Sequence, residues 1–173
     1  FCAGADLGQL ERIASTSDPL ENLHDASSLG ELLIQMRQLR RPIIAAVHGN
    51  VFAGGAGLAT ACDLVIPADT TRLSYTEVRL GFVPAMVMAL LKRIVGEKQA
   101  FELCALGDVL TAEEAKALGI FNRIAGEAQF NEDVDALARE VARQSPSAVQ
   151  LIKRLLYDSD GSTFEQAIRR GAE

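Results

Sequence analysis

The chain has 173 residues, 49% hydrophobic and 23% charged, which is the balance of one globular domain able to bury a core. A formal charge of −6 and a pI near 5.0 leave no basic field for a phosphate backbone or an anionic lipid surface, so nucleic acid and membrane are not the expected partners. Apolar runs are broken well before a membrane-spanning length, and no basic n-region followed by an apolar run opens the sequence, so the chain reads as a protein of the cytoplasm or an organellar matrix.

The first residues, Phe1-Cys2-Ala3-Gly4-Ala5-Asp6-Leu7, carry no initiator Met and run straight into a loop signal. They read as the interior of a domain whose upstream strands are missing. A polar run over 15–28, containing His24, predicts a surface loop. Leu29, Leu32, Leu33, Met36 and Leu39 then recur at spacings of three and four, predicting an amphipathic helix that starts near 26–28 and stops before Pro42. The β-branched run over 43–47 predicts a strand buried on both faces. A glycine-dense turn follows over 48–57, then a small-residue helix over 58–63 and a second strand over 64–67. Strand, glycine turn, helix and strand in this order form a β-α-β unit and a parallel sheet, so the fold class is α/β.

Downstream, helices over 86–95 and 97–106 are each closed by a glycine, Gly96 and Gly107. Thr111 and Glu114 form a capping box for a helix ending at Gly119, and 120–124 reads as a short strand. From Asn131 only helices are expected: 132–144, 147–157 and a third opened by Ser162 and Glu165. The expected division is an α/β core over 1–125 and a helical region over 126–173. Cys2, Cys62 and Cys104 sit among apolar neighbours with no Cys/His spacing that suggests a metal, and they read as small hydrophobes in a reducing compartment.

Three features could carry chemistry. Gly54-Gly55-Ala56-Gly57 lies between a predicted strand and a predicted helix, where free amides and the helix dipole hold negative charge. It lacks both the GxGxxG pattern and a terminal Gly-Lys-Ser/Thr, which argues against a nucleotide. The functional use that remains is an oxyanion hole, while taken alone the glycines are more simply explained by a tight turn and close helix packing. Glu77 stands among Val78, Leu80 and Phe82, a setting that desolvates a carboxylate and suits it to proton transfer. The plainer alternative is that Thr76 caps a turn and Glu77 complements its dipole. His48 has no Ser or Cys nucleophile near it in sequence and reads as a structural histidine.

Four ordered motifs together carry a resemblance: Phe1-Cys2-Ala3-Gly4-Ala5-Asp6-Leu7; Ala45-Ala46-Val47-His48-Gly49 leading into Ala53-Gly54-Gly55-Ala56-Gly57-Leu58 and Ala61-Cys62-Asp63-Leu64; Tyr75-Thr76-Glu77-Val78-Arg79-Leu80-Gly81; and Leu110-Thr111-Ala112-Glu113-Glu114-Ala115 through Gly119-Ile120-Phe121-Asn122. Over nearly its whole length the chain resembles the enoyl-CoA hydratase/isomerase (crotonase) family. The resemblance implies a spiral of β-β-α units with a C-terminal helical region, homotrimers or hexamers, and an acyl-CoA substrate from fatty-acid or branched or aromatic acyl-CoA breakdown. Coenzyme A would be part of the substrate, and neither a separate cofactor nor a metal is implied.

It further implies that the oxyanion-hole amides are those of Ala5 and Gly54, with Glu77 as the catalytic carboxylate. Ala3, Asp6 and Leu7 would lie beside the CoA moiety, and Gly55 and Gly57 against the substrate. Hydratases of the family commonly carry two glutamates, and here the first position is Gly57. One carboxylate suffices to move a proton between carbons, so isomerisation is the closer chemistry even though hydratase is the commoner name. A catalytically silent CoA-binding or scaffold subunit is the alternative of another class. The serine proteases that resemble this fold need a Ser/His/Asp set that the sequence does not offer.

Overall fold

The computed structural model describes residues 1–6, 8 and 19–172, with 19–26 as backbone only. Helix α1 (Pro19–Gln38) begins earlier than its apolar spacing predicts, so the expected loop over 15–28 is helical from Pro19 onward, and 15–18 lie outside the described residues. Proline at a first helical position has its φ preset and lacks only an amide that would be unpaired there. Apolar periodicity reveals the part of a helix that packs, here Leu33 and Met36 against Ala61 and Leu90, and is silent on the turns before it. His24 lies in this helix.

Strand β1 (Ile44–Val47) pairs in parallel with β3 (Leu64–Pro67), Ile44 opposite Leu64 and Val47 opposite Pro67. Between them lie β2 (Asn50–Phe52) and helix α2 (Gly54–Thr60). β2 belongs to a second sheet, where it pairs in parallel with β4 (Arg72–Ser74), which takes β5 (Leu110–Thr111) on its other edge antiparallel. The chain therefore leaves one sheet after Val47, turns at Gly49 with φ +63°, and enters the other at Asn50. It repeats the crossing between β3 and β4, and helix α3 (Ala85–Val95) then closes a second β-β-α unit. The expected β-α-β unit is present, with one strand of the second sheet, β2, inserted between β1 and α2.

Fully buried Val47, Val51, Leu73, Tyr75, Leu91 and Phe121 fill the space between these layers. α3 and α4 (Glu97–Leu106) end at Gly96 and Gly107, both at positive φ. The Thr111–Glu114 box opens α5 (Ala112–Ala117) as predicted. The expected strand over 120–124 does not form: Asn122 takes up the edge of β3 instead, its amide donating to Val65 O at 3.0 Å and its side-chain oxygen accepting from Val65 N at 2.7 Å. A side-chain amide has replaced one rung of a backbone ladder, leaving only a bridge between Ala68 and Ala125.

Three helices follow, α6 (Phe130–Ala142), α7 (Pro146–Asp158) and α8 (Phe164–Gly171). α6 lays Leu137 on Ile66 of β3. α8 is capped by Thr163 with Gln166, one residue later than the predicted Ser162–Glu165 box. The shift frees Glu165 to pair with Arg169 one turn on, at 2.7 Å.

The sequence gives no sign of the role of Lys153, which is 5% exposed. Its ammonium donates to Met36 O at 2.8 Å, Arg41 O at 3.1 Å and Asp63 Oδ2 at 2.7 Å, and Tyr157 Oη donates to Asp63 Oδ1 at 2.8 Å. This network ties α7 to the end of α1 and to the start of β3. Lys153→Met leaves two carbonyls and a carboxylate without their cation, and should cost about 3 kcal/mol in urea unfolding. A loss below about 1 kcal/mol would contradict that role.

Candidate active site

Three parallel segments end side by side. Cys2 bridges Val51 in parallel, and Val51 stands opposite Leu73 in the β2–β4 pair. The residues that follow each of these therefore emerge at one end of the sheet: Ala3 to Asp6, Ala53 to Gly57, and Tyr75 to Leu80. Ligand sites in open α/β sheets form at the carboxyl ends of parallel strands, where loops and helix N-termini converge.

The middle segment is held in an unusual conformation. Ala53 has φ +47° and ψ −124°, alone among the described non-glycine residues in having positive φ. Its amide donates to Ser74 O at 3.0 Å and its carbonyl accepts from Gly57 N at 3.0 Å. The second bond opens α2, so the amides of Gly54, Gly55 and Ala56 have no acceptor within the helix. Such strain persists only where surrounding contacts fix it, and it gathers at functional sites.

The first segment packs closely on the second. Phe52 N donates to Cys2 O at 3.0 Å, and a Cβ on Gly55 would collide with that same carbonyl. Gly4, at φ +111°, faces Ala53, and a Cβ there would stand 3.0 Å from Ala53 Cβ and 3.8 Å from Gly54 N. Gly55 thus serves close backbone approach. Ala3, Ala5 and Asp6 are exposed beside this contact, while Leu7 lies outside the described residues.

Gly57 is buried, and a Cβ on it would collide with Val87 Cγ2 of α3, with Val87 Cβ at 3.6 Å. The space of its missing side chain is occupied by a valine 30 residues away. Gly57→Ala should therefore destabilise the protein by about 1–3 kcal/mol through overpacking. Adding Val87→Ala should recover part of that loss in a double-mutant cycle by chemical unfolding. Equal stability of Gly57→Ala and wild type would contradict the contact.

Glu77 opens a single 3-10 turn, Glu77–Leu80, ended by Gly81 at φ +77°. Thr76 is the N-cap residue but makes no side-chain bond to this turn, so the capping half of the plainer alternative is not realised, while Glu77 does stand in the first turn, where it complements the dipole. Glu77 is half-buried, and its Oε2 is buried with no hydrogen-bond partner among the described residues. Burial raises its pKa, and its own backbone amide pulls partly the other way. The buried Cys104 thiol of α4 and the Tyr75 phenol both feel its charge. Burial pushes both groups up, so they stay neutral beside it. Thr60 Oγ1 donates to Ala56 O at 2.7 Å, so the Tyr75 hydroxyl donates to Thr60, also at 2.7 Å. The phenol is thereby engaged beneath α2.

His48 packs edge-on against Phe130, ring centroids 5.9 Å apart. The cysteines are free. Cys104 is buried, Cys2 and Cys62 are half-buried, and burial pushes the Cys62 thiol up to about 11. Among the described residues no group of three or more His, Cys, Asp or Glu could hold a metal, and no helix is long and apolar enough to cross a membrane.

Two interleaved parallel strand pairs, each crossing between sheets before a helix, define the crotonase class of α/β fold. Residues 1–169 match the family model described as enoyl-CoA hydratase/isomerase, and the chain belongs to that family. It is 45% identical to a Thermus thermophilus protein named "Putative enoyl-CoA hydratase", over 99% of this chain and 68% of the relative. It is 35% identical to an enoyl-CoA isomerase/hydratase of Mycosarcoma maydis, over 96% of this chain and 60% of that one. Among solved structures it superposes on the enoyl-CoA hydratase of Polaromonas sp. JS666 with a TM-score of 0.91 at 26% identity, covering 98% of this chain and 66% of that one. The Mycobacterium smegmatis enoyl-CoA hydratase gives a TM-score of 0.89 at 26% identity, over 99% and 66%. The chain thus spans about two thirds of the length of the relatives it matches.

Proposed function

We propose that the protein transforms an enoyl-CoA thioester, with the amides of Ala5 and Gly54 as an oxyanion hole and Glu77 as the group that moves the proton. The observation that carries this reading is the shared sheet end: a helix-opening amide and a half-buried carboxylate with an unpartnered oxygen follow neighbouring parallel strands. Removing a proton from the carbon beside a thioester carbonyl places negative charge on the carbonyl oxygen. Fixed backbone donors stabilise that charge without reorganising. A carboxyl with a raised pKa is a better-matched base for the step than an ordinary glutamate. Val78, Leu80, Phe82 and Val83, all exposed, would offer apolar surface to the acyl chain, with Ala3, Asp6, Leu7 and Gly55 toward the CoA side.

The names of the relatives include both hydratases and isomerases. The Gly57–Val87 contact favours isomerisation for this chain, because it fills with apolar atoms the place where a second carboxylate would orient water. Isomerisation needs one base to take a proton from C2 and return it at C4; hydration needs a water held over Cβ as well. On this reading the intact protein isomerises 3-enoyl-CoA readily and hydrates crotonyl-CoA slowly. Gly57→Glu alone should fail to raise hydration, whereas Gly57→Glu combined with Val87→Ala should raise it. Fast hydration by wild type with no isomerisation would overturn the isomerase reading, and absence of both reactions would favour the silent CoA-binding subunit. A homotrimer or hexamer is part of the proposal, and the exposed Leu151, Ile152, Leu156, Phe164 and Ile168 of α7 and α8 would suit subunit contacts.

A further inference from the structure

The segment that carries Glu77 is fastened on both sides to a single atom. Gly107 O, at the C-terminal cap of α4, accepts from Ser74 Oγ at 2.8 Å and from Arg79 Nη2 at 2.7 Å. Ser74 lies three residues before Glu77 and Arg79 two after it. A carbonyl oxygen has two lone pairs, and these donors use both. Gly107 is left-handed, with φ +63°, and a Cβ there would meet Tyr75 O and Val78 Cγ1 at 3.3 Å and Arg79 Nε at 3.5 Å. The end of α4 therefore touches the Glu77 turn from both sides. The same Ser74 presents its own carbonyl to Ala53 N, which joins this anchor to the residue before Gly54.

A single 3-10 turn has poor internal hydrogen-bond geometry and does not by itself fix where a side chain points. Among the described residues Glu77 gains no hydrogen bond at Oε2 to hold it. Its direction is set by the atoms packed around it and by the backbone beneath it, and that backbone is tied to Gly107. Among the influences on its ionisation are its burial and its own amide, whereas the Arg79 guanidinium is directed at the Gly107 carbonyl.

We infer that Arg79 is a positioning residue for Glu77: its guanidinium bonds the Gly107 carbonyl and so fixes the turn that aims the carboxylate at substrate. This rests on the proposed role of Glu77. The test is steady-state kinetics of 3-enoyl-CoA isomerisation with the intact protein carrying Arg79→Met, which keeps the aliphatic stem and removes the donors, and Arg79→Lys, which keeps a cationic donor group on a shorter reach. Displacing a reacting group by about 1 Å costs on the order of 10²-fold, so Arg79→Met should lower kcat at least about 10-fold. KM should change less than kcat, because the groups proposed on the CoA side are untouched and only Val78 and Leu80 of the acyl surface share the loosened turn. Arg79→Lys should recover part of kcat.

The pH at half-maximal kcat should also move down in Arg79→Met, toward the ordinary glutamate range, as the loosened carboxyl gains water. Cys104 and Tyr75, the titratable groups facing it from α4 and from the strand end, remain neutral through that range. If Arg79→Met does not fold, Arg79→Gln carries the same test. Unchanged kcat in the folded variant overturns the inference, as does a fall in kcat with an unmoved pH profile and no recovery in Arg79→Lys. Wild-type kinetics in Arg79→Met together with an inactive Glu77→Gln would remove the clamp and leave the proposed function standing. Activity retained in Glu77→Gln would remove both.

Discussion

Glu77→Gln should lower isomerase turnover by about 10³-fold, within the range for losing a positioned acid or base. Glutamine keeps the shape of the side chain and its place on the 3-10 turn while removing the proton acceptor. The same substitution should make the protein more stable at neutral pH. Burial raises the folded-state pKa of Glu77, so folding favours its protonated form, and that favourable contribution is complete below the unfolded value of about 4.3. It is lost as pH rises through the raised folded value, leaving a desolvated carboxylate at pH 7. Glutamine carries no such penalty, so the variant should melt higher than wild type at pH 7, with the difference shrinking toward pH 4. Neighbouring Cys104 and Tyr75 stay neutral over this interval and do not confuse the comparison. Thermal melts at the two pH values, paired with turnover, check both halves. An active variant, or one less stable than wild type at pH 7, would contradict the assignment.

Gly54→Pro should cost about 10²-fold or more in turnover, the scale for removing one oxyanion donor. Gly54 is the first residue of α2 and its amide has no partner in the helix, so the helix itself accepts proline there, while Ala53 before it, at φ +47° and ψ −124°, must adjust to the ring. Gly54→Ala supplies the control. Its Cβ would approach Gly4 Cα at 4.0 Å, an ordinary contact, and its amide is kept. The alanine variant should therefore retain most activity while the proline variant loses it, with both showing wild-type far-UV circular dichroism. Equal activity of the two would show that the Gly54 amide does not touch the reacting oxygen.

The parts of this fold that were legible in the sequence are those decided locally. Gly96 and Gly107 end helices because only residues permissive of positive φ close them cheaply, and the Thr111 box needs only its own four residues. The continuous apolar run over 43–47 announces β1, whereas β2, β4 and β5 have only two or three residues and no period to read. Asn122 hides the missing strand after α5, because nothing in sequence tells that its side chain will pair with β3.

The candidate site divides in the same way. The spacing of glycines and the apolar setting of Glu77 mark both groups, but their meeting at one sheet end depends on the Val51–Leu73 register. The packing reason for Gly57 sits on Val87, and the tie on Glu77 runs through Gly107 and Arg79. Contacts between residues 30 apart leave no periodic trace, which is why the sequence could not tell that the packing partner of Gly57 is Val87. Lys153 looks like any lysine on an amphipathic helix until α1 and Asp63 close around its ammonium.

The central claim is that one carboxylate, acting beside fixed amides, moves a proton along an acyl-CoA chain. Its most direct test is a mass-spectrometric product profile of the intact protein, wild type and Glu77→Gln, supplied separately with 3-enoyl-CoA and 2-enoyl-CoA. The account predicts that wild type converts 3-enoyl-CoA to a product of unchanged mass and shifted retention, that little of either substrate gains a water, and that Glu77→Gln forms neither product. Rapid gain of water without isomerisation, or conversion that survives in Glu77→Gln, would contradict it.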